Sequence, residues 1–178
     1  MHILEDRQVA FTLDELQSMI TVNMGDYKLA RGSQRLITRD LGSCVAVAMR
    51  DPHTGVGGLL HIMLPRYTDI DLGTERNLAK YADTGIEELV KNLVLKGAKR
   101  ERLVVKLAGG AHMVRSEGVS ESSDISSRNV SAVRQKLMKM NIPVLAAELG
   151  GCHPRTVIFE PGSGTFRILT AGKTDRTL

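Results

Sequence analysis

The chain has 178 residues, of which 42% are hydrophobic, and a net charge of +4; this length and composition are typical of one globular domain and exclude a largely disordered chain. Aromatic residues make up only 3%, tryptophan is absent and the positive excess is small, which argues against a nucleic-acid-binding protein. The two cysteines do not make a disulfide framework, the N-terminus lacks signal-peptide features, and no segment is apolar enough to cross a bilayer, so we expect a cytoplasmic protein without membrane insertion.

The first 21 residues are predicted to form a leader that contains a short helix. Thr12 is placed as its N-cap with Glu15 at the third helical position, and Phe11 and Leu16 are spaced as a hydrophobic staple. The helix is predicted to continue to about Ile20. Residues 22–178 are predicted to form the single main domain.

Seven strands are predicted in the main domain from apolar runs bounded by turn residues. They are 36–41, 44–50, 56–63, 103–108, 144–148, 156–160 and 165–170.

Two helices are predicted between these strands. The first runs from about Thr74 to Lys96 and stops at Gly97, and its apolar face consists of Leu78, Ala82, Ile86, Leu89, Val90 and Leu93. The second ends at Asn141 and Pro143, and its apolar positions are Val130, Val133, Leu137 and Met140. The predicted fold is therefore an α/β domain, a layered mixed or antiparallel sheet of the α/β/β sandwich type with two main helices packed on it.

Cys44 and His61 carry the clearest chemistry in the chain. They lie on two predicted strands joined by the turn residues 51–55. A hairpin centred between Pro52 and His53 places Cys44 directly opposite His61, where Cβ atoms are about 4.5–5.5 Å apart. A bulge or a one-residue slip would instead send the two side chains to opposite faces.

A thiol and an imidazole in contact can act as nucleophile and base, because the thiolate is the reactive form of cysteine. Gly42 is expected to let the preceding turn adopt positive φ and to let a substrate approach the backbone. Backbone N–H groups around Ser43 and Cys44 are then candidates for an oxyanion site. The alternative is a buried cysteine and a core histidine with no catalytic role.

Several separated motifs extend this interpretation. Residues 38–47 read TRDLGSCVAV and residues 57–65 read GGLLHIMLP; further motifs, in order, are Lys80-Tyr81-Ala82-Asp83, Lys106 to Met113, Ile125 to Asn129 and Gly150-Gly151. Together they resemble the chemoreceptor glutamine deamidase family, CheD, over about residues 22–170. Agreement of many motifs in order is far more specific than one Cys/His pair.

The resemblance implies a cysteine-dependent protein-glutamine deamidase that needs no cofactor and no metal. Cys44 and His61 match the catalytic residues of the family, and Thr38 matches the third member of its triad, which orients the imidazole. Arg128 and Asn129 match a further family motif, which we assign to the substrate cleft. The implied substrate is a glutamine on the cytoplasmic helical bundle of a chemotaxis receptor, and the implied second partner is a CheC-type phosphatase.

Two positions depart from the family pattern. Asp40 stands where a small or apolar residue is more common, and Ser126 replaces a glycine. If residues 36–41 are extended, Asp40 shares a strand face with Thr38 and is a second candidate for orienting His61; a solvated carboxylate at the sheet edge is the alternative.

Cys152 and His153 form a second thiol–imidazole pair in the sequence. Adjacent residues on an extended segment point to opposite faces, so these two side chains are not expected to touch. Nothing near them has zinc-ligand spacing. Cys44 is accordingly expected to be the more reactive thiol, since it alone would have a base within reach. Arg155 is expected to shape the cleft or a partner surface.

Two other functions use the same residues and stay open from the sequence. A signalling adaptor without chemistry would need only the surface of the domain. A cysteine protease would direct the same thiol and imidazole at a peptide carbonyl.

Overall fold

The computed structural model describes residues 18–67, 77–113 and 124–178, and these form three layers. Two helices pack on one face of a five-stranded sheet, and a second five-stranded sheet covers the other face. The α/β/β sandwich predicted from the sequence is therefore confirmed. No helix in these ranges is long and apolar enough to span a membrane.

The central sheet has the strand order β2-β5-β4-β6-β7, and the outer sheet has the order β1-β3-β8-β9-β10. The strands, in chain order, are β1 Ile20–Thr21, β2 Tyr27–Arg31, β3 Leu36–Leu41, β4 Val45–Asp51, β5 Val56–Ile62, β6 Val104–Gly109, β7 Val144–Leu149, β8 Arg155–Glu160, β9 Thr165–Leu169 and β10 Arg176–Thr177. The β1–β3 and β6–β7 pairs are parallel and the remaining pairs are antiparallel.

The two α-helices are α1 (Ala82–Leu95) and α2 (Ile125–Lys139). Short 3-10 helices precede β6 at Arg100–Arg102 and α1 at Leu78–Lys80. The apolar faces of α1 and α2 pack on the central sheet. Gly58 of β5 allows this close approach, because a Cβ there would lie 2.7 Å from Leu89 Cδ1.

The second core fills the space between the two sheets. It combines small side chains of the central sheet with large side chains of the outer sheet, including Ala46, Ala48, Leu36, Phe159 and Phe166. Small residues on β4 therefore face bulky residues on the opposing sheet. This inter-sheet layer also contains the residues of the candidate site.

All seven predicted strands are present within one or two residues of their predicted bounds. Three further strands, β1, β2 and β10, were missed because the first and last have two residues each and β2 is a half-exposed edge strand. Gly57 and Gly58 pair regularly with both neighbouring strands, so no bulge forms there.

The first predicted helix begins later than expected in the described residues. Tyr81 has an extended backbone (φ −112°, ψ 146°), which separates the 3-10 helix from α1; residues 74–76 lie outside the described ranges. The stop at Gly97 (φ 98°) is confirmed. The predicted leader lies mostly outside the described residues, and Ile20 belongs to strand β1, which pairs with β3, so the predicted leader helix cannot reach Ile20.

Candidate active site

The β4–β5 hairpin sets the position of the thiol and the imidazole. Its pairing is Asp51↔Val56 at the turn and Ala46↔His61 further along, so the predicted Cys44–His61 pairing was wrong by two residues. The turn spans residues 52–55, and Gly55 closes it with positive φ (65°) and an N–H bond to Asp51 O.

A shift of two residues keeps the side chains on the same face, because strand side chains alternate with period two. Cys44 packs with Ala46 in the inter-sheet core, and His61 points into the same layer, where it meets Thr38 of the opposite sheet. Cys44 and His61 are therefore diagonal neighbours, a spacing within reach of long side chains. Ala46, directly opposite His61, has a small side chain and so leaves room on this face.

A hydrogen bond across the sandwich holds His61. Its Nδ1 lies 2.7 Å from Thr38 Oγ1, which also lies 2.9 Å from Val22 O. A carbonyl oxygen only accepts, so the hydroxyl donates its proton to Val22 O and accepts from Nδ1–H. This fixes the tautomer and leaves a lone pair on Nε2, a buried atom with no partner among the described residues.

Burial also sets the protonation states of the pair. His61 is 3% exposed, and its burial lowers its pKa to about 4, against a smaller opposing effect of the Asp40 charge. Burial raises the pKa of the Cys44 thiol. At neutral pH the site therefore holds a neutral thiol beside a neutral imidazole whose Nε2 can accept a proton.

The loop before Cys44 offers two backbone donors. The N–H of Gly42 bonds Asp40 O at 2.9 Å, whereas the N–H groups of Ser43 and Cys44 have no acceptor in the described part of the chain. The expected positive φ at Gly42 was wrong: the positive φ (57°) belongs to Asp40. The space above Gly42 holds the side chain of Met113, which would lie 2.9 Å from a Cβ.

Asp40 does not share a face with Thr38. β3 carries a bulge between Thr38, which pairs with Val157, and Leu41, which pairs with Arg155. The bulge inserts one extra residue into the strand, so Leu41 points into the core and Asp40 is exposed. The expectation from simple alternation was therefore wrong. The residue that bonds His61 Nδ1 is Thr38.

Asn129 joins the two strands of the hairpin to α2. Its Nδ2 donates to Ser43 O at 3.0 Å and to Met63 O at 2.9 Å, and the side chain is fully buried. One carbonyl directly precedes Cys44 and the other lies two residues after His61. Asn129 thus fixes the spacing of Cys44 and His61, and its assignment to the substrate cleft stays a prediction.

The other family-matched positions have different surroundings. Arg128 is exposed in the first turn of α2, and its assignment to the substrate cleft stays a prediction. Ser126 is buried and donates to Ala111 O at 2.8 Å, which ties α2 to the end of β6. Arg155 is 8% exposed and bonds Glu148 and the carbonyls of Gly109 and Gly150, so it supports the β6–β7 region from within.

Cys152 and His153 are in contact, contrary to expectation. Cys152 Sγ lies 3.4 Å from His153 Nδ1, and both are exposed. The two side chains meet because this segment is a bend at Gly151 (φ 74°) and not a strand, so its side chains do not alternate. The nearby His112 bonds Asp124 at 2.5 Å. In the described ranges, no three His, Cys, Asp or Glu side chains are grouped as metal ligands.

Three residues near Cys44 and His61 were not predicted from the sequence. Val22 contributes only its carbonyl, which any residue possesses. Met24 and Met113 flank the loop 42–44, and Met24 Sδ lies 3.9 Å from Cys44 Sγ. Methionines outside a periodic apolar pattern are the only clue that could have indicated them.

Comparison with known proteins identifies the family of the chain. The model of the family described as CheD chemotactic sensory transduction matches residues 63–170, more than half of the chain. The chain belongs to the CheD family. Members of this family with curated names extend the similarity to the rest of the sequence.

Three relatives are each named "Probable chemoreceptor glutamine deamidase CheD". The protein of Desulforamulus reducens is 46% identical over 155 residues (86% of this chain, 91% of the relative), and that of Lachnoclostridium phytofermentans is 39% identical over 160 residues (90% and 98%). The protein of Haloarcula marismortui is 36% identical over 178 residues and covers both chains completely. This last alignment includes the segment from Thr38 to His61, which precedes the family-model match.

Proposed function

We propose that this protein is a chemoreceptor glutamine deamidase that uses Cys44 as its nucleophile. The relatives that cover most of the chain are named for this activity. The observation that carries the mechanism is the Thr38–His61 hydrogen bond, which leaves the buried Nε2 unpaired on the same face as the thiol.

In the acylation step, Nε2 of His61 accepts the thiol proton while Sγ of Cys44 bonds to the carboxamide carbon. The N–H groups of Ser43 and Cys44 stabilise the negative charge that forms on the carboxamide oxygen. The tetrahedral intermediate collapses as the imidazolium gives its proton to the nitrogen, which leaves as ammonia. The product of this step is a thioester between Cys44 and the former glutamine.

In the second step, Nε2 takes a proton from water, whose oxygen attacks the thioester carbon. The C–S bond breaks, the thiolate recovers its proton from the imidazolium, and the substrate side chain leaves as glutamate. Thr38 keeps the imidazole in one orientation throughout. Three further residues belong to the proposed site. Gly42 is part of the loop before Cys44, Arg128 is exposed on the surface of α2, and Asn129 supports the chain on either side of the pair.

The proposed substrate is a glutamine on the cytoplasmic part of a chemotaxis receptor, which places the enzyme in the cytoplasm. Each turnover adds one negative charge to the receptor. Binding of a CheC-type phosphatase is a second proposed role, supported by the family resemblance. A titration of the phosphatase into a deamidation assay tests whether it competes with receptor, which is expected if both dock at the mouth of the site.

The deciding experiment is incubation of a purified receptor cytoplasmic domain with the protein, followed by peptide mass mapping. A gain of about one dalton at a glutamine, with release of ammonia, indicates deamidation. Cys44→Ala and His61→Ala should each abolish the gain, and Cys152→Ala is the matched thiol control. Cleavage of the chain would indicate a protease, and binding without any change of mass would indicate an adaptor.

A further inference from the structure

Two exposed methionines lie against the loop that carries Cys44. Met24 is 58% exposed and its Sδ is 3.9 Å from Cys44 Sγ; Met113 is 50% exposed and packs on Gly42. We call these two side chains the methionine rim. The other large exposed hydrophobic residues of the described chain lie on α1, α2 and β7.

The rim is built from two separate connections. Met24 belongs to the turn between β1 and β2, and Met113 follows β6. The N–H of Ala111, two residues before Met113, bonds Gly42 O at 2.7 Å, so the described start of the second connection is tied to the loop 42–44. Both methionines therefore have a defined position relative to the thiol, although neither is buried in a core.

A substrate glutamine has to reach a thiol that lies directly beside this rim. Cys44 is only 9% exposed, and Met24 lies against its sulfur, so a glutamine side chain reaches Sγ by displacing or sliding along Met24. The residues beside that glutamine on the substrate surface then meet Met24 and Met113. Methionine is unbranched and polarisable, which allows it to adapt to apolar surfaces of different shape.

We propose that the methionine rim is the substrate-recognition surface of this enzyme and selects glutamines that have apolar neighbours on the surface of the substrate protein. The inference rests on the proposed deamidase function and adds the chemistry of the residues around the target. Apolar contact at the rim contributes binding that is lost when either surface becomes polar.

The test compares Met24→Gln and Met113→Gln with Met138→Gln, a control at a methionine that is 73% exposed on α2. Glutamine retains length and flexibility but is polar. We expect kcat/KM for a receptor cytoplasmic domain to fall about tenfold in each rim variant, mainly through KM, since uniform binding is lost. The control variant should match wild type.

Alkylation of Cys44 by iodoacetamide, in a Cys152→Ser background, separates recognition from damage to the loop. This small reagent does not need the rim, so the rate in Met24→Gln and Met113→Gln should equal or exceed that of wild type. A parallel loss of deamidation and alkylation would overturn the inference, because it would show that the methionines only support the loop.

A variant of the substrate tests the apolar contact from the other side. Replacing the apolar neighbours of the mapped glutamine by polar residues should weaken deamidation by wild type and have little further effect on the double rim variant, since contacting residues are not additive. Unchanged kcat/KM in both rim variants would overturn the proposal that the methionine rim recognises the substrate, while the deamidase function would be unaffected. Absence of deamidation by wild type would overturn both.

Discussion

The Thr38 hydroxyl decides which nitrogen of His61 is available, because it accepts from Nδ1–H while donating to Val22 O. Thr38→Ala removes the acceptor and lets the ring rotate or change tautomer. We expect kcat to fall about 10- to 100-fold, part of the roughly 10²–10⁴-fold that general acid–base catalysis contributes. Thr38→Ser keeps the hydroxyl and should retain most activity. Equal losses in the two variants would show that the methyl packing, not the hydrogen bond, matters.

The pH profile of kcat/KM reports the protonation of His61 in the free enzyme. Burial lowers the pKa of His61 to about 4, and the neutral imidazole is the active base. Lowering the pH from 7 to 5 should therefore reduce the rate less than about twofold, whereas an unperturbed histidine would lose roughly 25-fold. A rate that halves near pH 6.5 would contradict this assignment.

Thiol labelling without substrate should favour Cys152 over Cys44, the reverse of what the sequence suggests. Cys152 is exposed with an imidazole nitrogen at 3.4 Å, whereas burial raises the pKa of the Cys44 thiol. Iodoacetamide at neutral pH followed by peptide mapping measures both rates. His153→Ala should slow labelling of Cys152 alone. Faster labelling of Cys44 would mean that the thiolate forms there even without substrate.

At the scale of elements, the sequence predicts strands and helices well but does not predict how they align. Apolar runs define β3, β4 and β5 in the chain, yet the β4–β5 register depends on where Gly55 closes the turn. Likewise, alternation cannot reveal the bulge that turns Asp40 outward, because the bulge is fixed by the pairing of β3 with a strand over 100 residues later.

The site was predictable where chemistry depends on residue type and unpredictable where it depends on shape. The motif was enough to propose Cys44, His61 and Thr38, and the structure brings them into one layer. Asn129 was identified as a site residue, but its support of two strand ends required the packing of α2. Cys152 and His153 touch because a bend replaces the extended segment that simple alternation assumes.

Asn129→Ala should weaken catalysis as well as the fold. The change leaves the carbonyls of Ser43 and Met63 without their donor, at a cost of about 1–3 kcal/mol in unfolding free energy, and frees the loop before Cys44 to move away from His61. We expect kcat to fall at least tenfold at a temperature where the variant remains folded, because small misplacements of reacting groups are costly.

Asn92→Ala is the control for this substitution. Within the described residues, Asn92 Nδ2 donates to Glu88 O of its own helix α1 alone, so the variant should change neither kcat nor KM. Circular dichroism and chemical denaturation verify that both variants are folded. A normal kcat in Asn129→Ala would show that the loop keeps its position through the backbone bonds to Gly110 and Ala111 alone.

At the scale of the whole molecule, the proposed catalytic base is also part of the layer that joins the two sheets. His61 extends from the central sheet and bonds Thr38 of the outer sheet, among side chains such as Leu36 and Leu41. The same burial that keeps the imidazole neutral therefore couples its titration to the stability of the sandwich. The pH dependence of kcat/KM and that of the unfolding free energy should therefore both reflect the protonation of His61.

The unfolding free energy should accordingly decrease as the pH falls. The pKa of His61 is about 4 when folded and about 6.5 when unfolded. The stabilisation is fully present above pH 6.5 and is lost progressively as the pH falls towards 4, because the unfolded chain binds the proton first. Between pH 7 and pH 5 the loss from this residue is about 2 kcal/mol.

Chemical denaturation of wild type and His61→Leu at pH 7 and pH 5 measures this contribution, since the variant should lack the difference in unfolding free energy between the two pH values. His53→Asn, at an exposed turn position, should retain the wild-type difference. An equal pH dependence in wild type and His61→Leu would show that the imidazole accepts a proton as readily in the folded sandwich as in water.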